Sequence, residues 1–468
     1  MALMNTVVRL LTFLSLSISL TYGRPAIEKR VLTPTTDPFY TPPAGFESST
    51  PGTILKTRQV VTSFLGLIPT LGVQSYQLLY RTTSVNGSAI AAVTTIFKPL
   101  GAKTDRFVSF HTAYDGSAPI CDPSYNYQLG AAQVDLISDV EFLLLEGFLA
   151  SGYIVSSPDY EGSDAAFGAG RLAGMVTLDS MRAVTNFAKT LGLTTTSPKI
   201  VGYGYSGGSI ASGWGAQLHS SYAPELPIKG WASGGTVANL TGTALFIDNT
   251  AFSGFLPAAV DGLSKPSSYA AQIGPVIKSI ITPLGQSKLD FAAQNCIADL
   301  FNFFEMSLLS TTIQSLGDRL YYQPDIAAVL MKQTMGVNKN ETPTAPMYVY
   351  HASSDEIIPY SNATTLVDSW CANGASVDFV TFGNGGHFTT EILGFIGAYK
   401  FVESAFAGTV ASGCTRSTTL NNTLDPIALG TNLEPILVKL IDALAALGRG
   451  DSNVLSNLNV LKDTTIQT

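Results

Sequence analysis

The sequence predicts an α/β fold: a mostly parallel central sheet with helices on both faces and an inserted helical cap. Three observations carry this expectation. Apolar strand-like runs alternate with helical stretches in both halves of the chain, which argues for a parallel sheet covered on both sides. Between the halves, about 237–337 is helical in character with little strand signal. Of the 468 residues, 46% are hydrophobic and only 13% charged, a composition that can bury a large core. The length suits one decorated core better than several modules.

Taken in order, the first residues read as a signal peptide over 1–23. Arg9 is its positive region, Leu10 to Leu20 its apolar stretch and Tyr22-Gly23 its cleavage site. That stretch is too short to span a bilayer, so no transmembrane anchor is expected. Lys29-Arg30 reads as a dibasic processing site, which leaves a propeptide at 24–30 and a catalytic domain over 31–468. Pro34 to Pro51, rich in Pro, Thr and Ser, suits an extended arm. Tyr76 to Thr82 and Ala89 to Phe97 flank the turn signal Asn86-Gly87 and predict a hairpin.

Alternation follows, with strands at Phe107 to His111, Tyr153 to Ser157 and Lys199 to Tyr203 and helices at Leu136 to Ser151 and Leu178 to Leu191. Ile210, Trp214 and Leu218 then recur at spacing four on one helical face. After the cap, with its apolar runs Ile277 to Ile281 and Ile297 to Leu309, the alternation resumes. Met347 to His351 and Val377 to Phe382 read as strands and Asn362 to Ala372 as a helix. In the tail over 424–468, Ile436, Leu440, Leu444 and Leu447 form an amphipathic helical stripe expected to dock on the core.

The net charge of -8 and the absence of any Lys/Arg run argue against nucleic acid as a partner, since phosphate binding depends on clustered cations. Behind a signal peptide, the sequons at Asn86, Asn239, Asn340, Asn362 and Asn421 are candidate glycosylation sites. The cysteines Cys121, Cys296, Cys371 and Cys414 form an even set without CxxC spacing, so disulfides are expected and zinc is not. Three connectivities are open to four cysteines. The pairing Cys121–Cys296 with Cys371–Cys414 is favoured, because the latter closes a local loop around His387.

Gly204-Tyr205-Ser206-Gly207-Gly208 is the chain's single GxSxG, set between an apolar strand and a helix. That is the setting of a nucleophile elbow. The sharp turn lifts the serine hydroxyl into the open, and small neighbours keep it from clashing. It also leaves the backbone N–H of Gly207 facing a developing oxyanion. A serine hydroxyl needs a base to take its proton. Of the four histidines, His387 in Gly383-Asn384-Gly385-Gly386-His387 is singled out by the order Ser, acid, His, and is expected in a loop. His351 is the rival, read as strand-end core because the acid should precede the base. Asp355, just past an apolar strand, is that candidate acid, with Glu356 as the alternative.

With these residues placed, the chain resembles the fungal secretory lipases, the α/β-hydrolase family that includes lipase A of Candida antarctica. The most specific stretch runs from Gly202 through Gly208 and Ser212-Gly213-Trp214 to Tyr222-Ala223-Pro224-Glu225-Leu226 and Gly234-Gly235-Thr236. Cys121-Asp122-Pro123-Ser124-Tyr125, Pro158-Asp159-Tyr160-Glu161-Gly162 and the Asp355 segment are similar too. The resemblance implies an oxyanion role for Asp115 beside Gly207, which requires a protonated carboxyl, since an ionised one would repel the oxyanion. It implies two disulfides, the helical cap, and no cofactor or metal. The expected activity is hydrolysis of carboxylic esters, acylglycerols foremost, by a secreted serine enzyme acting on lipid or another ester substrate. A narrow esterase for acetylated secondary metabolites and a non-catalytic lipid-binding homologue are the alternatives.

Overall fold

The computed structural model describes residues 31–420 apart from 133, 301, 302, 304 and 305. The expected signal peptide, propeptide and amphipathic tail, and the sequon at Asn421, therefore lie outside the described residues. Strands β1 (Ile54–Val60), β2 (Ser63–Phe64), β3 (Ile68–Pro69), β4 (Val73–Thr83), β5 (Ala89–Pro99) and β6 (Arg106–His111) precede β7 (Ile154–Pro158). Strands β8 (Lys199–Tyr205), β9 (Ile228–Gly234), β10 (Met347–Ala352), β11 (Val377–Phe382) and β12 (Cys414–Thr419) follow. Ten of them form one sheet in the order β1-β4-β5-β7-β6-β8-β9-β10-β11-β12, while β2 and β3 pair separately.

From β7 to β12 neighbouring strands are parallel, and β1, β4 and β5 complete the sheet antiparallel. The inner parallel strands are buried because helices cover both of their faces: β10 is buried at every residue. This is the mostly parallel α/β sheet the alternation predicts.

Several elements depart from the sequence expectation, each for a physical reason. The helix expected from Leu178 begins at Gly170 and ends at Asn186, with a separate turn at Ala188–Leu191. Its early glycines are helical because another helix lies against them. A Cβ at Gly170 would sit 2.0 Å from Nε1 of Trp214, and one at Gly174 2.8 Å from the Trp214 backbone. Regular structure starts at β1, before the hairpin, and the 34–51 arm is folded into short 3-10 turns at Pro38–Tyr40 and Phe46–Ser48. Phe39, Tyr40 and Phe46 of that arm pack on Leu79, Ala91 and Val93 of the sheet.

Between β9 and β10 lie the helices Leu240–Ile247, Phe255–Leu263, Ala270–Ile280, Pro283–Ala292, Ile297–Leu300 and Pro324–Met331. The run from Ile297 is helical only to Leu300 among the described residues. The disulfide Cys121–Cys296 ties this insertion to the segment after β6, and Cys371–Cys414 ties the helix Tyr360–Ala372 to β12. No helix among the described residues is long and apolar enough to cross a membrane. Asn86 and Asn340 are exposed, whereas the side chain of Asn239 caps a helix by accepting from Gly242 N at 3.1 Å. The Nδ2 atom of Asn362 is buried, 2.4 Å from where a Cβ at Gly242 would stand, so this sequon does not present its nitrogen to a glycan in the folded chain.

Candidate active site

The site lies beyond the carboxyl ends of the parallel strands, where open α/β sheets place their ligands. Ser206 links β8 to the helix Gly207–Tyr222 and holds φ 50 and ψ -124, a conformation unusual for a residue with a side chain. The surroundings hold it there. Its N–H donates to Gly234 O at 3.0 Å, and the glycines around it let backbones approach. A Cβ at Gly204 would lie 2.3 Å from Gly208 O, and one at Gly208 1.9 Å from His111 O. Strain of this kind persists only where the structure over-determines it.

The structure brings Ser206, His387 and Asp355 together. His387 Nε2 stands 2.8 Å from Ser206 Oγ, and His387 Nδ1 stands 2.8 Å from Asp355 Oδ2. Asp355 reaches this point from the loop after β10, and His387 from the turn after β11. His387 departs from the expectation of a loop residue: it is the first residue of the helix His387–Ala407. That placement fixes its backbone. Its N–H donates to Glu356 Oε2 at 2.9 Å and its carbonyl accepts from Tyr205 Oη at 2.6 Å.

Asp355 is arranged to stay ionised. Its Oδ1 accepts from the N–H groups of Ile357 and Ile358 at 2.9 and 2.7 Å. Burial alone would raise its pKa, but His387 and His351 together hold it well below the usual carboxylate range. Burial pushes the His387 imidazole down, but the carboxyls around it, Asp355 first and then Glu356 and Glu391, together raise it overall. Glu356, the alternative acid, accepts from the His387 backbone N–H, while Asp355 accepts from the ring. Burial and the Asp355 charge push it up to about 7.

His351 is not the base, yet it belongs to the site. Its Nδ1 accepts from Thr236 N–H at 3.2 Å, so Nε2 carries the proton. That proton points at Ile358 O at 3.0 Å and Asp355 Oδ2 at 3.3 Å. His111, by contrast, is buried with Ser109 and Ser212 and is pushed down by burial to about 3. His219 lies toward the far end of the helix Gly207–Tyr222, bonded to Leu226 O.

Asp115 stands directly across from Gly207. A Cβ at 207 would be 1.5 Å from Asp115 Oδ1, and that oxygen is buried with no hydrogen-bond partner among the described residues. Burial, with Glu391 adding to it against the opposing pull of His387, pushes the carboxyl up to about 7. Asp115 also has φ 38, again outside the ordinary range. Gly207 is the first residue of its helix, where N–H groups have no intrahelical partner. The Asp115 carboxyl therefore lies beside the start of this helix, in the cavity that Ser206 also lines.

Ser206, Gly207 and Asp115 line an apolar cavity whose empty space, open solvent included, is about 970 Å³. The insertion supplies most of the remainder through residues such as Leu240, Ala244, Leu256, Ile273 and Leu330. Among the described residues no group of three or more His, Cys, Asp or Glu could hold a metal ion. Sequence reasoning did not single out Tyr205, Glu141 or Glu391 at this site. Tyr205 occupies the unspecified position of GxSxG, and the two glutamates come from helices far apart in the chain, so no spacing signals them.

The sequence model of the family described as secretory lipase matches residues 127–413. Two secreted triacylglycerol lipases of Malassezia furfur are 38% and 36% identical to the chain. The first match covers 89% of this chain and 84% of the relative, the second 90% of each. The crystal structure of Candida antarctica lipase A in its closed state superposes with a TM-score of 0.79 at 30% identity, covering 89% of this chain and 98% of that one. The chain belongs to the secretory lipase family.

Proposed function

We propose that the protein hydrolyses acylglycerol esters outside the cell, through a Ser206–His387–Asp355 triad and an acyl-enzyme formed on Ser206. The observation that carries this is the position of Ser206 Oγ: hydrogen-bonded to His387 Nε2 and open to a large apolar cavity. The Malassezia relatives, named as secreted triacylglycerol lipases, support the substrate class and the location.

In this mechanism the Ser206 proton passes to His387 Nε2 as Oγ attacks the ester carbonyl. The carbonyl oxygen becomes an oxyanion that accepts from Gly207 N–H and from protonated Asp115. Asp355 stabilises the imidazolium, which then gives its proton to the departing alcohol. Water, deprotonated by the same imidazole, releases the fatty acid and restores Ser206. The cavity receives the acyl chain, whose burial against aliphatic side chains contributes about 0.8 kcal/mol per methylene.

The test is hydrolysis of an acyl series from acetate esters to emulsified long-chain triacylglycerol, by the protein and by Ser206→Ala in parallel. Long-chain activity that vanishes in Ser206→Ala supports the proposal. Activity confined to acetates replaces it with a narrow esterase, and equal activity in both proteins removes Ser206 as the nucleophile.

A further inference from the structure

Behind the proposed oxyanion residues lie two carboxyls that the mechanism above does not use. Glu141 sits in the helix Leu136–Ala150 and Glu391 one turn beyond His387 in the helix His387–Ala407. Both are buried, and their carboxyls lie against each other. Oε2 of Glu141 also accepts from Ala113 N–H at 2.8 Å. Ala113 stands two residues before Asp115, in the loop that leaves β6.

The titratable groups facing the pair are Asp115 from that loop, His387 from the same helix as Glu391, Tyr203 and Tyr205 from β8, Tyr350 from β10, and Tyr127 and Tyr160. None is a lysine or arginine. Two carboxyls in contact without a cation cannot both ionise, so one proton stays between them. Their Oε1 atoms have no partner among the described residues. An apolar pair of similar volume would pack here without that desolvation cost, so the carboxyls need a reason beyond packing.

We propose that Glu141 and Glu391 form a proton-sharing clasp that positions the Ala113–Asp115 loop against the helix carrying His387. Both are positioning residues: neither reaches Ser206, and each acts through its neighbour. The clasp joins two parts of the site that the chain itself does not connect. Glu141 holds Ala113 N–H, Glu391 holds Glu141, and the helical turn from Glu391 leads back to His387. Asp115, with its positive φ and unpartnered Oδ1, depends on this anchoring to keep its carboxyl beside Gly207. This inference rests on the oxyanion role proposed above.

The test compares Glu141→Gln with Glu141→Leu in ester hydrolysis. Glutamine supplies a carbonyl for Ala113 N–H and an amide N–H for Glu391, so kcat is expected within about threefold of the parent. Leucine supplies neither and leaves a buried N–H unpaired, so kcat is expected to fall at least about tenfold, with KM within about twofold, as for loss of transition-state positioning. Circular dichroism and thermal melting check that each variant is folded. If Glu141→Leu does not fold, Glu391→Met against Glu391→Gln carries the same comparison.

A folded leucine or methionine variant with parental kcat overturns the clasp. So does an equal loss in the glutamine variant, because an amide that reproduces both bonds should rescue. Ser206→Ala in the same assay separates the two levels of the argument. If it hydrolyses ester as well as the parent, the proposed function fails; if it is inactive while Glu141→Leu keeps its kcat, only the clasp fails.

Discussion

The carboxyl of Asp115 occupies the space where any side chain at Gly207 would have to go, 1.5 Å from the Cβ position. Two residues ninety-two positions apart therefore share one wall of the cavity. This explains at once why 207 is glycine and why a carboxyl can reach the proposed oxyanion. A donor is needed there, and Asp115 is one only while protonated.

Asp115 therefore sets an alkaline limit. With its carboxyl pushed up to about 7, the protonated donor is present below that value and lost as the pH rises through it. His387 contributes the opposite limb, because it must be neutral to act as base. Asp115→Asn, whose amide donates at every pH, is expected to remove the alkaline limb of the kcat profile. Asp115→Ala is expected to lower kcat by roughly 10²-fold to 10³-fold below about pH 7, where the parent keeps its donor, and by less above it. Rates measured from pH 4 to 9 check both.

His351 donates toward Asp355 Oδ2 from 3.3 Å, alongside the shorter bond from His387. Its removal should loosen the acid without abolishing it. His351→Leu is expected to lower kcat about tenfold, as loss of an outer partner that orients an ionised ligand does, and Asp355→Asn by roughly 10⁴-fold, as loss of the triad acid does. Steady-state kinetics on one soluble ester distinguishes the two. A loss as large as that of Asp355→Asn would make His351 part of the machinery itself.

Stability should fall with rising pH. Burial pushes Asp115, Asp139 and Asp159 up to about 7, and raises Asp122, Asp135, Glu141 and Glu161 as well. Below about 4 both folded and unfolded chains hold these protons. Between about 4 and 7 the unfolded chain loses them while the folded chain keeps them, so each unit of pH favours unfolding. Asp355, Asp105 and Glu225, held low, and His111, buried and pushed down, contribute in the opposite direction, but the raised carboxyls outnumber them. The melting temperature is expected to be at least roughly 4 °C lower at pH 8 than at pH 5. A scanning calorimetry series reads this directly, and a flat profile would show that these carboxyls ionise in place.

Glycan occupancy should follow exposure of the amide nitrogen. Asn86 in the β4–β5 turn and Asn340 are exposed, whereas the nitrogen of Asn362 is buried against Gly242. Glycopeptide mass spectrometry of the secreted protein is expected to find glycan at Asn86 and Asn340 and none at Asn362. Modified Asn362 would mean that the contact between the Tyr360–Ala372 and Leu240–Ile247 helices is remade.

What the sequence determined by itself is local. Strand and helix alternation was legible because buried parallel strands are continuous apolar runs, and β11 spans the predicted residues Val377–Phe382. The turn at Ser206 was legible because a strained strand-to-helix elbow demands glycines at fixed offsets. Elements without such a local mark were not. Strand β12, Cys-Thr-Arg-Ser-Thr-Thr, is a polar, mostly exposed edge whose pairing with β11 supplies its order. The helix His387–Ala407 is buried on most sides and so lacks the polar stripe that reveals a helix in sequence.

Only the tertiary structure decided which groups meet. His351 beside Asp355, Asp115 against Gly207, and Glu141 on Glu391 are each products of strand order and helix packing, with the last pair separated by 250 residues. Desolvation is likewise a property of the packed site. A carboxyl in an unfolded chain titrates near 4 wherever it stands, and only enclosure by the sheet and its helices raises Asp115 while His387 and His351 together keep Asp355 charged. Residue types and their order carry the chemistry; the three-dimensional enclosure sets the protonation state in which that chemistry operates.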